Sequence, residues 1–330
     1  MSPIELKLFT KDGRSRFFEK YGTILIFIVM VILMALIKPE FLTYKNIINV
    51  IKQQTPIVII ALGVTFTIIS GGIDISGGSI IALCSVVIAM LAHPVGDAAG
   101  PGQLPLIVTI LAGIVVGGIL GTISGLVISY SNVPPFIATL GMMTAARGLA
   151  LIVSGGRPVS GFTKAFDFIG SGSVLGIPIL IFILAFTFVI SYILLHKTKF
   201  GIYVFAIGGN EMAAIVSGVK VKRNKTLVYM LAGSYCGIAA VALTSRILAG
   251  VPSVGGGYEL SAITIAVIGG TSFSGGIGSI FGTIVGGGIV GVLNNGMTML
   301  QIDPALQMVV KGAVIVGAVL LDERKHRYKK

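Results

Sequence analysis

The chain has 330 residues, 55% of them hydrophobic and 11% charged, with a mean hydropathy of +1.00 and a formal net charge of +12. Soluble domains hold roughly 45–50% apolar and about 25% charged residues, so this chain has too little polar surface to cover a water-exposed core. A nucleic-acid surface is also a poor fit, because the basic residues are split among distant segments with no aromatic residues interleaved.

Apolar windows near 20 residues suffice to cross about 30 Å of hydrocarbon. In chain order the predicted spans are Gly22–Ile37, Ile47–Ile69, Ser79–Ala92, Leu104–Tyr130, Phe136–Val153, Gly176–Leu195, Thr226–Leu248, Leu260–Gly270, Ser279–Leu300 and Pro304–Leu321. The third and eighth are too short to cross unaided, and both touch one repeated motif. Gly71-Gly72-x-x-x-Ser76-Gly77-Gly78 recurs as Gly269-Gly270-x-x-x-Ser274-Gly275-Gly276. Irregular backbone at membrane depth survives only where protein or a watery cavity surrounds it, and paired interruptions in transporters point to the substrate path. The expectation is an all-α, polytopic membrane protein of about ten helices with broken or re-entrant segments.

The basic residues set an expected orientation. Lys7, Lys11, Arg14, Arg16 and Lys20 precede the first span; Lys197, Lys199, Lys220, Lys222, Arg223 and Lys225 follow the sixth; Arg324, Lys325, Arg327, Lys329 and Lys330 close the chain. The positive-inside rule puts all three segments, and both termini, in the cytoplasm. The expected organisation is a cytoplasmic segment 1–21, a transmembrane domain 22–321 and a basic tail 322–330. Basic residues lead straight into the first span without a small-residue cleavage site, which reads as an uncleaved anchor.

Chemistry-bearing residues are sparse. Cys84 and Cys236 lie inside predicted spans without a metal or disulfide pattern, and His93, His196 and His326 are scattered. Neither a Walker-type phosphate loop nor a Gly-x-Ser-x-Gly elbow occurs, so no catalytic or metal site is expected, and any ATP must be bound by another polypeptide. Asp74 stands between paired glycines. A carboxylate there is either a contact to substrate or gate or a cap on the helix that begins near Ser76 and Ser79. Asn294 and Asn295 would be costly facing lipid and are expected to bond between helices or to bind substrate. Arg147 is expected to pair with a carboxylate or with helix-end carbonyls, and Arg246 and Glu259 to lie near the outer face. The loop Ser154–Leu175 offers a platform for a soluble partner, or is a tolerated insertion.

The segment 197–225 is the only sizeable inside loop. Asn210 is placed to cap a short amphipathic helix with Glu211 in its positive first turn, and Gly218 to stop it. Ala213, Ala214, Ile215 and Val216 would then form a small apolar knob, unless the helix merely connects two spans.

Five stretches together resemble ribose- and galactoside-type sugar permeases of bacterial ABC importers, within the branched-chain amino acid/simple-sugar permease superfamily. They are the segment from Ala206 to Lys225, Ser70-Gly-Gly-Ile-Asp-Ile-Ser-Gly-Gly-Ser79, Gly257-Tyr-Glu-Leu260, the segment from Ile268 to Gly276, and Leu293-Asn-Asn-Gly296. The likeness runs from Gly22 to Asp322. One departure is Gly77, where many relatives carry valine, and it is expected to add backbone freedom. The resemblance implies a permease fold like that of the vitamin B12 importer, in the bacterial inner membrane. It implies a dimer with a second copy or a homologue, two docked ATPase subunits holding ATP and Mg, no cofactor on this chain, and a small sugar delivered by a binding protein. Lipid surrounds such a subunit and nucleic acid does not enter. The family also moves nucleosides and autoinducer-2. Under this reading Gly71, Gly72, Asp74, Ser76, Gly77, Gly78, Gly269, Gly270, Ser274, Gly275, Gly276, Asn294 and Asn295 line the path, and Gly209, Asn210, Glu211, Ala213, Ala214 and Gly218 couple to the ATPase. An ion-coupled carrier would call for several intramembrane carboxylates or histidines, whereas Asp74 is nearly alone. A scaffold would not need repeated broken segments.

Overall fold

The computed structural model describes residues 11–92 and 104–327. The side chains of the terminal basic segments, together with His93, lie outside the described residues, so the charge-based orientation rests on the sequence. Among the described residues there are thirteen α-helices: α1 (Lys11–Ile37), α2 (Tyr44–Ile69), α3 (Gly77–Ala92), α4 (Leu106–Tyr130), α5 (Pro135–Ser154), α6 (Lys164–Ser171), α7 (Ile179–His196), α8 (Lys199–Gly209), α9 (Glu211–Val216), α10 (Val221–Ile247), α11 (Tyr258–Ile268), α12 (Ile280–Met299) and α13 (Pro304–Arg327). The described residues also hold a 3-10 turn at Pro39–Leu42 and two antiparallel strand pairs: β1 (Val159–Ser160) joins β4 (Ala249–Gly250), and β2 (Ser173–Val174) joins β3 (Ile177–Pro178).

Six helices, namely α2, α4, α5, α7, α10 and α12, are long and apolar enough to cross a membrane, and each covers a predicted span. The other four predicted spans fall on shorter apolar stretches, Tyr21–Ile37, Gly77–Ala92, Tyr258–Ile268 and Pro304–Leu320, and α8 adds a short apolar helix the spans did not include. The first helix begins at Lys11 rather than near Gly22.

The bundle is organised around α10. Of the most apolar stretch of each helix, 67% is buried in α10 and 17% in α5, which separates a central helix from a peripheral one. Small residues explain why α10 can lie so close to its neighbours. Gly113, Gly117, Gly121 and Gly125 recur every fourth residue on α4 and meet α10 antiparallel. A Cβ on Gly117 would run into the Gly233 carbonyl, and one on Gly233 into the Gly117 carbonyl. Such close backbone approach lets dispersion hold helices together where lipid supplies no hydrophobic drive. Buried hydroxyls add direct ties: Thr244 donates to Ser85 (2.7 Å), Thr65 and Thr283 share a hydrogen at 2.7 Å, and Ser191 meets the Tyr235 hydroxyl at 2.9 Å. These bonds join α10 to α3, α2 to α12, and α7 to α10.

Candidate functional site: the broken helices and their junction

Both glycine motifs begin where a helix stops. In α2 the N–H of Gly71 donates to the Ile68 carbonyl (2.9 Å) and that of Gly72 to Thr67 (2.9 Å), with Gly71 left-handed at φ 79°. In α11 the N–H of Gly270 donates to Val267 (2.8 Å) and that of Thr271 to Ala266 (3.0 Å), with Gly270 at φ 92°. Each stop satisfies two otherwise orphaned carbonyls, and each requires the conformation that glycine adopts without a Cβ penalty.

A side-chain cap follows in both copies. The Asp74 Oδ1 accepts from the Ser76 N–H (2.8 Å) and hydroxyl (2.6 Å); at the matching place Ser272 Oγ accepts from the Ser274 N–H (3.2 Å). The chain then takes two courses. After Asp74, Gly77 and Gly78 enter α3 directly, with the Ser76 carbonyl accepting from Ser79 and Ile80. After Ser272, Gly275 and Gly276 are left-handed at φ 78° and 71°, which no right-handed helix accommodates, and α12 begins only after Ser279 caps Gly282 (3.2 Å). Gly77 is the first residue of α3, on helical backbone. Asp74 is buried at 3% exposure, and its two bonds to Ser76 close a turn that leads into α3, close to the positive end of that helix.

Two short helices start against each other. Past β4 the chain folds back along α3: Gly250 packs on Ser85 and Ala89, whereas Gly255 reaches the start of α3 at Gly78. Arg147 of α5 pins this returning strand, its Nη1 donating to the carbonyls of Pro252 (2.7 Å) and Val254 (2.8 Å). Of the two expected pairings for Arg147, the carbonyls are the ones found, and they belong to a loop. A Cβ on Gly78 would collide with the Gly255 carbonyl and the Glu259 carboxylate. Glu259, in the first turn of α11, also accepts from the Gly257 N–H (3.2 Å), so one carboxylate serves the region where two positive helix ends meet. Gly77 lies beside Cys236, part-way along α10, so α3 starts within the bundle rather than at its edge.

The segment 197–225 contains two helices. Asn210 ends α8 through its N–H, which donates to Ala206 (3.0 Å), and starts α9 through Oδ1, which accepts from Ala213 (2.9 Å). Gly218, at φ 82°, stops α9 as expected, with its N–H on Ile215 (2.9 Å) and that of Val219 on Ala214 (3.0 Å). Glu211 pairs with Lys225 at 2.6 Å, tying α9 to the start of α10. Ala214 is not part of an exposed knob: it is buried with Ile207 and Val221 in a small core of its own. The outward apolar residues are Met212, Ile215 and Val216, exposed at 69%, 49% and 85%.

The two motifs and this segment converge. Gly276 donates its N–H to the Ile69 carbonyl at the end of α2 (2.8 Å), and the backbone of Gly208 lies against both. Asn294 and Asn295 do not join them. They sit about 22 Å along α12 from its start, taking 1.5 Å per residue, where Asn295 and Asn46 of α2 exchange two bonds of 3.0 Å. This is the expected interhelical bonding for Asn295, whereas the Asn294 Oδ1 is buried without a hydrogen-bond partner. Nothing in the sequence signals Tyr229, whose buried hydroxyl rests on the face of Gly72.

Residues 46–319 match the family model described as branched-chain amino acid transport system / permease component. The chain belongs to that permease family. It is 43% identical over 309 residues to the ribose import permease protein RbsC of Bacillus subtilis (strain 168), covering 93% of this chain and 94% of that one. The D-allose transport system permease protein AlsC of Escherichia coli (strain K12) is 38% identical, covering 93% and 92%. The galactose/methyl galactoside import permease protein MglC of the same strain is 38% identical, covering 92% and 95%. No solved structure matches. The permease is thus a multi-pass membrane transport component with an all-helical fold.

Proposed function

We propose that this permease is the transmembrane subunit of an ATP-binding cassette importer that carries a simple sugar into the cytoplasm. The observation that carries the reading is the junction: α9, a capped short helix with three exposed apolar side chains, follows directly on α8, whose Gly208 lies against the end of α2 at Ile69 and against Gly276 of the second motif. Curated relatives named for ribose, allose and galactoside import support the substrate class. In this reading α9 docks on an ATPase subunit that holds ATP and Mg, and a binding protein delivers sugar on the opposite face. The chain crosses the inner membrane ten times, in an arrangement like the vitamin B12 importer, with both termini and the segment 197–225 cytoplasmic. A second permease copy or a homologue completes the path along Gly71–Gly78 and Gly269–Gly276.

The test is reconstitution of the permease with its ATPase and binding protein in liposomes, with uptake of labelled ribose, allose and galactose measured separately. ATP-dependent accumulation of one of them is expected. Val216→Asp should abolish association with the ATPase while leaving the permease inserted. Accumulation without ATP, or full transport by Val216→Asp, would sink the reading.

A further inference from the structure

We infer that Gly208 is a positioning residue, a backbone-on-backbone bearing through which movement of the docking helix α9 reaches both glycine motifs at once. This rests on the importer reading above. The geometry is three-sided. A Cβ on Gly208 would collide with the Ile69 carbonyl at the end of α2 and stand 2.6 Å from the Gly276 nitrogen, which are the acceptor and donor of one hydrogen bond. A Cβ on Gly275 would stand 2.7 Å from the Gly208 carbonyl, and one on Gly276 would stand 2.9 Å from the Cα of Gly209. A Cβ on Gly71 would stand 4.0 Å from the Gly208 Cα. No side chain lies between these backbones, so there is nothing compressible at the contact; packed interfaces pass displacement as discrete shifts rather than absorbing it.

The contact is stiff on its α9 side as well. Asn210 caps α8 and α9 and is the single residue between them, and Glu211–Lys225 together with the Ile207, Ala214 and Val221 core bind α9 to the same unit. Phe66 of α2 stacks on Phe200 of α8 at 6.2 Å, a second point of contact between the two helices. A push on α9 therefore bears on Ile69 and on Gly275–Gly276 together, the end of α2 and the turn that precedes α12.

The experiment uses the reconstituted importer. In Gly208→Ala the added methyl group must part Ile69 from Gly276, so ATPase association and ATP hydrolysis are expected to persist while sugar carried per ATP falls by about tenfold or more, a loss of at least 1.4 kcal/mol in coupling. Gly141→Ala, where nothing lies within 4 Å, makes the same chemical change away from the bearing and is expected to keep the wild-type ratio. Folding of the variant is bypassed by a second measurement on an otherwise native background: spin labels at Lys199 and Ser274, both exposed, with a third at exposed Ser171. On ATP binding the 199–274 separation is expected to hold within about 2 Å, the size of an ordinary helix shift, while both distances to 171 change. A Gly208→Ala importer with the wild-type ratio overturns the bearing, as does a 199–274 separation that changes as much as the others. Wild-type protein that neither binds the ATPase nor carries sugar overturns the importer reading instead.

Discussion

The two glycine motifs have the same fixed residues at the same spacing and fold differently from their first residue onward, Gly71 being left-handed in one copy and Gly270 in the other. In the first, α2 stops two residues before the motif, and a carboxylate launches α3 at once. In the second, α11 stops one residue before it, a serine closes a turn in which the Ser272 N–H donates to Ile277 (3.0 Å), and a second serine launches α12. The flanks decide the outcome. Ser79-Ile80-Ile81-Ala82 continues a helix, whereas Gly278-Ser279 first weakens and then restarts one. Shared spacing therefore guarantees a break in the helix and does not dictate what the break becomes.

One methyl group added at the same motif position in each copy should have opposite weight in the two. Gly275→Ala should cost about 1–2 kcal/mol for its left-handed backbone alone, with the collision at Gly208 on top, and uptake should be largely lost. Gly77→Ala meets only the ends of Ile60 and Cys236, at 3.1 and 3.4 Å, on helical backbone, and should change stability by no more than about 1 kcal/mol, in either direction. Thermal unfolding in detergent together with vesicle uptake would decide it; equal losses in both variants would show that the copies are conformationally alike. Next in size is the cap. Asp74→Ala should cost about 1–2 kcal/mol and Asp74→Asn much less, because the amide oxygen still accepts from Ser76. Uptake abolished by Asp74→Asn at unchanged stability would instead give the charge a role at the gate. Ser272→Ala, at a turn rather than a helix start, should cost under about 1 kcal/mol. The smallest effect is expected outside both copies: a double-mutant cycle on Asn46 and Asn295 should return a coupling near 0.6 kcal/mol, the usual scale for one interhelical polar contact in a membrane protein. A coupling several times larger would mark that pair as more than a tie between α2 and α12.

Much of this was legible in the sequence because it is local. Asn210 and Gly218 act within four residues of themselves, apolar windows reveal long helices, and paired glycines reveal where helices break. What was hidden depends on residues brought together from afar. Gly78 looks like any glycine until Gly255 folds back against it; Ala214 reads as part of an exposed knob until Ile207 and Val221 close over it; Tyr229 carries no mark of its contact with Gly72. The frame shift between the two helix stops was equally invisible, since glycine at either motif position permits a left-handed stop and only the packing of α2 and α11 selects which is used.

The double duty of Asn210 fixes phase as well as stiffness. With no other residue between α8 and α9, one inserted residue would rotate the face bearing Met212, Ile215 and Val216 by about 100° and advance it by about 1.5 Å. Composition, charge and hydropathy would scarcely register such a change, yet the face would point elsewhere. The link is constrained by residue count, as teeth are on a gear, and a chimera joining α8 of this permease to α9 of a relative will mesh only if a single asparagine is left to end one helix and begin the other.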